Sequence, residues 1–341
     1  MIGWRKINQI TFNAEVLKLK DIGERRIIDR LMSMHSKQVP KDDCALIEDG
    51  EDYLLLSTDV ITPLTHAPKG ASPEQIGSFF ANINLSDIAG MAGEPIGFMS
   101  AYSASPDTDI EFFEGLETGV SKVLDQYEVE HLGGDMKEGA SLTLTGIAVG
   151  RQKKEYTRKR GDIKPGQLLG VTNRLGRSAS GYVFYKTGYK KDLGINLMMG
   201  VQARIREADI ISRHGGKFMM DLSDGIFSSV AQMKNDYGIG FKIVEDSVQQ
   251  DRNVDKASEL SGASVRDLLF SFGGDYEILF TIENENYGDF LENMESNNVD
   301  VSIIGQVWEE NNIIFDGERW EAITGLGYEH FTEKPTLGRI K

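Results

Sequence analysis

The sequence predicts a two-domain α+β protein: an N-terminal mixed α/β sheet domain over residues 1–150 and a C-terminal α+β domain over residues 151–341. Three observations carry that expectation. A chain of 341 residues is long for a single ordinary core, so two cores are expected. Strand-like and helix-like segments mix in both halves without the regular alternation of a doubly wound parallel sheet. Residues 151–166 (RQKKEYTRKRGDIKPG) concentrate Lys and Arg in a chain of net charge −16, which reads as a solvated junction.

Residues 1–20 are weakly patterned and read as an extension or an edge strand. Residues 23–34 space apolar side chains at helical intervals, as an amphipathic helix does. Residues 44–47 and 53–57 read as a hairpin turning at Glu48-Asp49-Gly50. Asp42 and Asp43 enter the first strand, and Asp59 leaves the second behind Ser57 and Thr58. A loop carrying His66 then leads into residues 72–95, SPEQIGSFFANINLSDIAGMAGEP. Ser72 suits an N-cap, Pro73 the first helical position, and Gln75 completes a capping box, so a helix is expected from 73 to about 92. Its apolar residues leave little surface for water, so most of its sides should be covered. Asn84 and Asp87 share one face of that helix. A carboxylate in such surroundings needs a partner or a cation, so Asp87 is either a cation ligand or a cap for a neighbouring loop.

Residues 110–127 read as a second helix with Phe113, Leu116 and Val120 in its buried stripe. The segment that follows reads as a strand, a glycine turn with Asp135, and an alternating strand over residues 141–149. Past the junction come a strand at 167–173, a glycine and serine turn into a helix, and a helix at 201–212. KFMMDLSDGIFSSVAQM then gives strand, turn and helix, with Asp221, Ser223 and Asp224 at the turn. FGGDYEILFTI reads as a glycine turn into a strand, followed by a helix near 286–296 and a strand at 299–307.

Composition narrows the function. Apolar content of 40% and charged content of 26% describe a soluble globular protein. The negative charge disfavours nucleic acid and anionic membranes as partners. One cysteine, Cys44, rules out an intramolecular disulfide framework and a cysteine zinc cluster. The N-terminus lacks the apolar core of a secretory signal and no later run reaches spanning length, so the cytoplasm is the expected location. The phosphate-loop pattern fails because Phe218 follows Gly216-Lys217, and GxGxxG opening a helix, HExxH and GxSxG are also absent.

What recurs is an aspartate at a strand end or helix turn beside Gly, Ser or Thr, at Asp43, Asp59, Asp87, Asp135, Asp221 and Asp224. If these acids converge, pairs at ~4 Å repel by about 4 kcal/mol at an effective dielectric near 20, which demands cations. Magnesium is the expected one, since it prefers carboxylate, water and phosphate oxygens.

The ordered set DDCAL, STD followed by His66, NLSD, GGD, DLSDG and GGDYE resembles the thiamine-monophosphate kinases, part of a superfamily with aminoimidazole ribonucleotide synthetase, selenophosphate synthetase and the hydrogenase-maturation dehydratase. The likeness covers roughly residues 23–331. It implies two α+β domains, a homodimer formed through the N-terminal domains, and magnesium-dependent transfer of the ATP γ-phosphoryl group to thiamine monophosphate. By motif, Asp43, Ser57, Thr58, Asp59, Asp87, Asp135, Asp221 and Asp224 would hold magnesium directly or through water. Gly134, Asp135, Arg160 and Ser223 would contact ATP, and His66 and Tyr328 would touch thiamine monophosphate. Asp59, Asp135 and Arg160 would carry the catalysis.

The chain departs from the family pattern in placing Val39-Pro40-Lys41 before the paired aspartates and Gly274 where a substrate-contacting glutamate often stands. Another superfamily member acting on a different acceptor, resembling aminoimidazole ribonucleotide synthetase, is the nearest alternative. Selenophosphate synthetase would need a reactive Cys and Lys before Asp42, and the dehydratase would end in a cysteine rather than LGRIK. A nucleotide-binding regulator that keeps the metal site without transfer is the alternative of a different class.

Overall fold

The computed structural model describes residues 17–36, 41–63 and 65–324. Residues 17–36 belong to one compact unit and residues 41–324 to another. The first contains helix α1 (Glu24–Met32).

The second unit is built on two sheets. One contains β1 (Ala45–Asp49), β2 (Asp52–Ile61), β3 (Glu94–Ala104), β4 (Glu130–Glu138) and β5 (Thr143–Lys153), in the order β1-β2-β5-β3-β4. Helices α2 (Pro73–Gly90) and α3 (Ile110–Gln126) belong to this half. The other sheet contains β6 (Leu168–Thr172), β7 (Gly216–Asp221), β8 (Gly240–Val244), β9 (Ile278–Ile282), β10 (Val301–Trp308), β11 (Ile313–Phe315) and β12 (Trp320–Ala322), in the order β12-β11-β8-β10-β6-β9-β7. Its helices are α4 (Arg177–Thr187), α5 (Lys191–Met199), α6 (Ile205–Arg213), α7 (Ile226–Tyr237), α8 (Val254–Ser261) and α9 (Tyr287–Ser296). Only the β3/β4 and β8/β11 pairs are parallel among the described ladders. Both sheets are therefore mixed, as the irregular succession of elements predicts.

The capped helix is where the two halves meet. Ser72 accepts from the Gln75 N–H at 3.1 Å while Gln75 accepts from the Ser72 N–H at 2.9 Å, so both halves of the capping box form. Phe80, Ile83, Leu85 and Ile88 of α2 lie in one apolar core with Leu55 and Phe98 of the first sheet. Ala89 lies in another with Ala208, Ile211, Met219 and Phe280. Each large side chain so buried contributes about 1.5–3 kcal/mol. Those contributions offset the cost of the charged groups that α2 also buries.

Two expectations are corrected. Residues 133–135 do not turn: the parallel ladder with β3 continues through Gly133, Gly134 and Asp135, with only a shift of register beside Phe98 and Met99. Nor is the basic run a solvated linker. β5 extends to Lys153, and Thr157, Arg160 and Ile163 are buried. Arg158 donates to the Ser212 carbonyl at 2.6 Å and Arg160 pairs with Asp43, so buried acceptors draw these cations inward.

Candidate active site

Carboxylate oxygens of Asp43, Asp87 and Asp221 lie within 4.8 Å of one another. They come from three separate places in the chain: the lead into β1, the last turns of α2 and the end of β7. Gly90 permits the approach, since a Cβ there would stand 2.8 Å from Asp43 Oδ2 and 3.1 Å from the Asp221 nitrogen.

Each acid has a donor. Ser57 Oγ donates to Asp87 Oδ2, Ser86 Oγ donates to Asp221 Oδ2 at 2.9 Å, and the Arg160 guanidinium pairs with Asp43 Oδ1. Arg160 N–H also donates to Asp42 Oδ1 at 2.8 Å. Asp43 Oδ2, in contrast, is buried with no partner among the described residues. An orphaned carboxylate oxygen facing two more carboxylates is a site built for a cation. The donor set is hard oxygen, which fits magnesium better than a thiophilic metal.

The electrostatics agree. Burial, then the charges of Asp59, Asp221 and Asp43, push Asp87 well above the usual carboxylate range. Burial and the Asp43 charge do the same to Asp221. Asp43 rises through burial, against the pull of Arg160. Burial alone would lower Arg160, but Asp43, Asp221 and Asp87 hold its pKa above the ordinary arginine value.

Of the other expected site residues, Asp59 borders this cluster, its charge raising the Asp87 pKa. Asp59 lies on β2 beside Ser57; its N–H donates to Asn84 Oδ1 at 3.1 Å, so the face shared by Asn84 and Asp87 meets β2. Ser223 and Asp224 occupy the connection from β7 to α7, where the Ser223 carbonyl accepts from the Gly274 N–H at 2.7 Å. Gly274 has φ 90°, and a Cβ on it would stand 2.6 Å from Ser178 Oγ. Thr58 takes the opposite face of β2, donating to the Gly146 carbonyl at 2.8 Å. His66 lies in the turn after β2, its Nδ1 2.6 Å from Thr65 Oγ1. Lys41 reaches α7 and pairs with Asp236 at 2.5 Å.

Gly134 and Asp135 stand apart. They sit on the exposed edge strand β4, in register with Ser100 and Ala101 of β3, three strand spacings or ~14 Å from β2. Asp135 pairs with Lys137 at 2.8 Å, and this contact lowers its pKa. Tyr328 lies outside the described residues.

Sequence reasoning missed Ser86 and the buried acid Glu277. Ser86 left a signal: a hydroxyl beside Asp87 in a helix with almost no polar surface. Glu277 left less, because its bidentate partner Arg204 is 73 residues away.

The family model described as "AIR synthase related protein, N-terminal domain" matches residues 41–152, and that described as "AIR synthase related protein, C-terminal domain" matches residues 164–317. The chain belongs to the AIR synthase related protein family. Within reach of this family are curated proteins named thiamine-monophosphate kinase. That of Pyrococcus horikoshii is 27% identical over 309 residues, 90% of this chain and 96% of the relative. That of Methanospirillum hungatei is 29% identical over 294 residues, 86% of this chain and 95% of the relative. A solved structure titled "AaThiL complexed with AMPPCP and TMP" superposes with TM-score 0.83 at 23% identity, covering 93% of this chain and all of that one. An Escherichia coli hydrogenase maturation protein, HypE, superposes with TM-score 0.69 at 18% identity, covering 93% of this chain and all of that one. The AIR synthase related fold thus extends over both sheets described above. Among the described residues, no helix is long and apolar enough to cross a membrane.

Proposed function

We propose that this chain is a thiamine-monophosphate kinase, a magnesium-dependent phosphotransferase that uses ATP and acts in the cytoplasm. The observation that carries the reading is the triad of Asp43, Asp87 and Asp221, with an orphaned carboxylate oxygen, on a chain whose curated relatives of nearly equal length bear that name.

A phosphate oxygen of thiamine monophosphate attacks the γ-phosphorus of ATP. The bond from that phosphorus to the β–γ bridging oxygen breaks, and ADP leaves with the electron pair. The acceptor phosphate, with a second pKa near ~6, is largely ionised at neutral pH, so no strong general base is required. The residues' task is alignment and charge neutralisation. Asp43, Asp87 and Asp221 would hold magnesium, which would supply charge neutralisation for the phosphates; Asp59 and Asp224 would extend the set, with Ser57 donating to Asp87. Arg160, which pairs with Asp43, would offer its guanidinium charge to phosphate. Ser223, Gly134 and Asp135 would contact the nucleotide, Asp135 would also offer its carboxylate to a cation, and His66 and Tyr328 would touch thiamine monophosphate. Incubation of the pure protein with ATP, magnesium and thiamine monophosphate tests this. Steady formation of thiamine diphosphate and ADP in equal amounts is expected; ATP binding without that product would defeat it.

We further infer a homodimer through the first sheet. Ile47, Val60, Ile96 and Met99 are exposed at 52%, 51%, 38% and 37% on that sheet, and β4 offers an unpaired edge. An apolar sheet surface of this kind is covered in a stable protein. Light scattering on a sizing column should give twice the chain mass of 37.9 kDa, and Met99→Glu should give the single-chain mass. A wild type that elutes as one chain at micromolar concentration would refute the pairing.

A further inference from the structure

Arg160 is held at two points. Its backbone N–H donates to Asp42 Oδ1 at 2.8 Å, while its guanidinium pairs with Asp43 Oδ1 through Nη2. The short turn that carries it, Arg160–Asp162, is closed on itself, with Lys159 N–H donating to Asp162 Oδ2 at 3.2 Å. Main chain and side chain are thus tied to neighbouring aspartates, and the ion pair is buried, its two side chains 11% and 2% exposed. An arginine keeps its charge at any pH at which the protein is folded. It therefore cancels part of the negative charge of the Asp43, Asp87 and Asp221 triad before any metal ion arrives.

Each side of this pair keeps one unused atom. Asp43 Oδ2 and Arg160 Nε are both buried without a hydrogen-bond partner among the described residues. The oxygen calls for a cation and the N–H for an acceptor. A bare divalent ion supplies only the first, and it enters a small cluster that already holds a fixed positive charge. Like charges so placed repel even at an effective dielectric near 20. A divalent ion that carries phosphate oxygens supplies both: metal for the carboxylate, and an anionic oxygen for the guanidinium in a charge-assisted bond.

We propose that Arg160 makes the acidic cluster selective for a phosphate-bound divalent cation over the free ion, so that metal and nucleotide load together. This inference rests on the phosphotransferase reading of the same site and adds to it the form in which the metal is taken up. In the free protein the guanidinium neutralises Asp43; with nucleotide it serves phosphate as well. Free divalent ions are then held weakly by a site whose three carboxylates alone would hold them tightly.

Arg160→Gln removes the charge and keeps a donor for Asp43, whereas Arg160→Lys keeps the charge. Electron paramagnetic resonance gives the Mn²⁺ affinity of each full chain without nucleotide, and calorimetry gives its affinity for the magnesium complex of a non-hydrolysable ATP analogue. Arg160→Gln is expected to bind Mn²⁺ about tenfold tighter or more than wild type, and Arg160→Lys to stay within about threefold of it. The same Arg160→Gln should bind the magnesium nucleotide about 10–100-fold more weakly, the scale of one charge-assisted hydrogen bond. Mn²⁺ binding by Arg160→Gln that is equal to or weaker than wild type would overturn the proposal. So would a nucleotide affinity that rises in step with the Mn²⁺ affinity, which would reduce Arg160 to a charge that merely repels metals. The wild type decides the matter even if the neutral variant does not fold: Mn²⁺ held at about 1 μM or tighter without nucleotide would contradict a site that resists the free ion. If the wild type makes no thiamine diphosphate, the kinase reading fails, and these affinities still judge Arg160 separately.

Discussion

Asp87→Asn is expected to lower thiamine-monophosphate kinase turnover by about 10³-fold or more while making the metal-free protein more stable. The loss follows because the triad falls to two carboxylates at the point where charge must be neutralised, and each ~1.4 kcal/mol of lost stabilisation is a factor of ten in rate. The gain follows because unit charges within 4.8 Å of one another repel by about 3 kcal/mol at an effective dielectric near 20. Ser57 can still donate to the asparagine oxygen, so no partner is orphaned.

The stability gain has a defined dependence on pH. Asp87 and Asp221 have folded pKa values raised well above the ordinary aspartate value, so between the two values the folded state holds more protons than the unfolded one. Stability of the metal-free wild type therefore declines as pH rises from about 4 through the raised folded values. The advantage of Asp87→Asn should be larger at pH 8 than at pH 5, and saturating Mg²⁺ should abolish it. Denaturant titrations in chelator at both pH values measure this. A variant less stable than wild type at pH 8 would mean that the three acids do not strain the fold.

Arg160→Met is expected to act with the opposite sign. Its guanidinium is the buried cation paired with Asp43, and removing one partner of a buried pair costs about 3–5 kcal/mol. In chelator the variant should therefore be less stable than wild type by that order. Magnesium should restore much of the difference, because the cation supplies the charge that Asp43 has lost. Turnover should fall by about 10²-fold, the scale of one lost phosphate-directed donor. Equal stability of the two proteins in chelator would remove Arg160 from the cluster.

These opposed signs depend on a site that was partly legible in the sequence. The Ser72–Gln75 capping box and the apolar run behind it located α2, and the misfit of Asp87 in that run marked it as unusual. Both features are local, and the structure keeps them. Convergence of Asp43, Asp87 and Asp221 depends on pairings over more than a hundred residues, such as Ser86 with Asp221. No periodicity encodes such a contact, and only the ordered motifs of a known family suggested it. Gly133-Gly134 read as a turn because two glycines usually permit one; the parallel partner β3, some 30 residues earlier in the chain, instead draws them into a strand. Lys and Arg in residues 151–166 read as solvated because composition says nothing of which cation has a buried acid waiting for it.

Anomalous diffraction from crystals grown with Mn²⁺ in place of Mg²⁺, together with a non-hydrolysable ATP analogue and thiamine monophosphate, tests the central claim most directly. The account predicts a manganese peak bounded by the carboxylates of Asp43, Asp87 and Asp221, with Arg160 turned from Asp43 toward phosphate. Both substrates bound in a crystal whose manganese peaks avoid those three aspartates would contradict it.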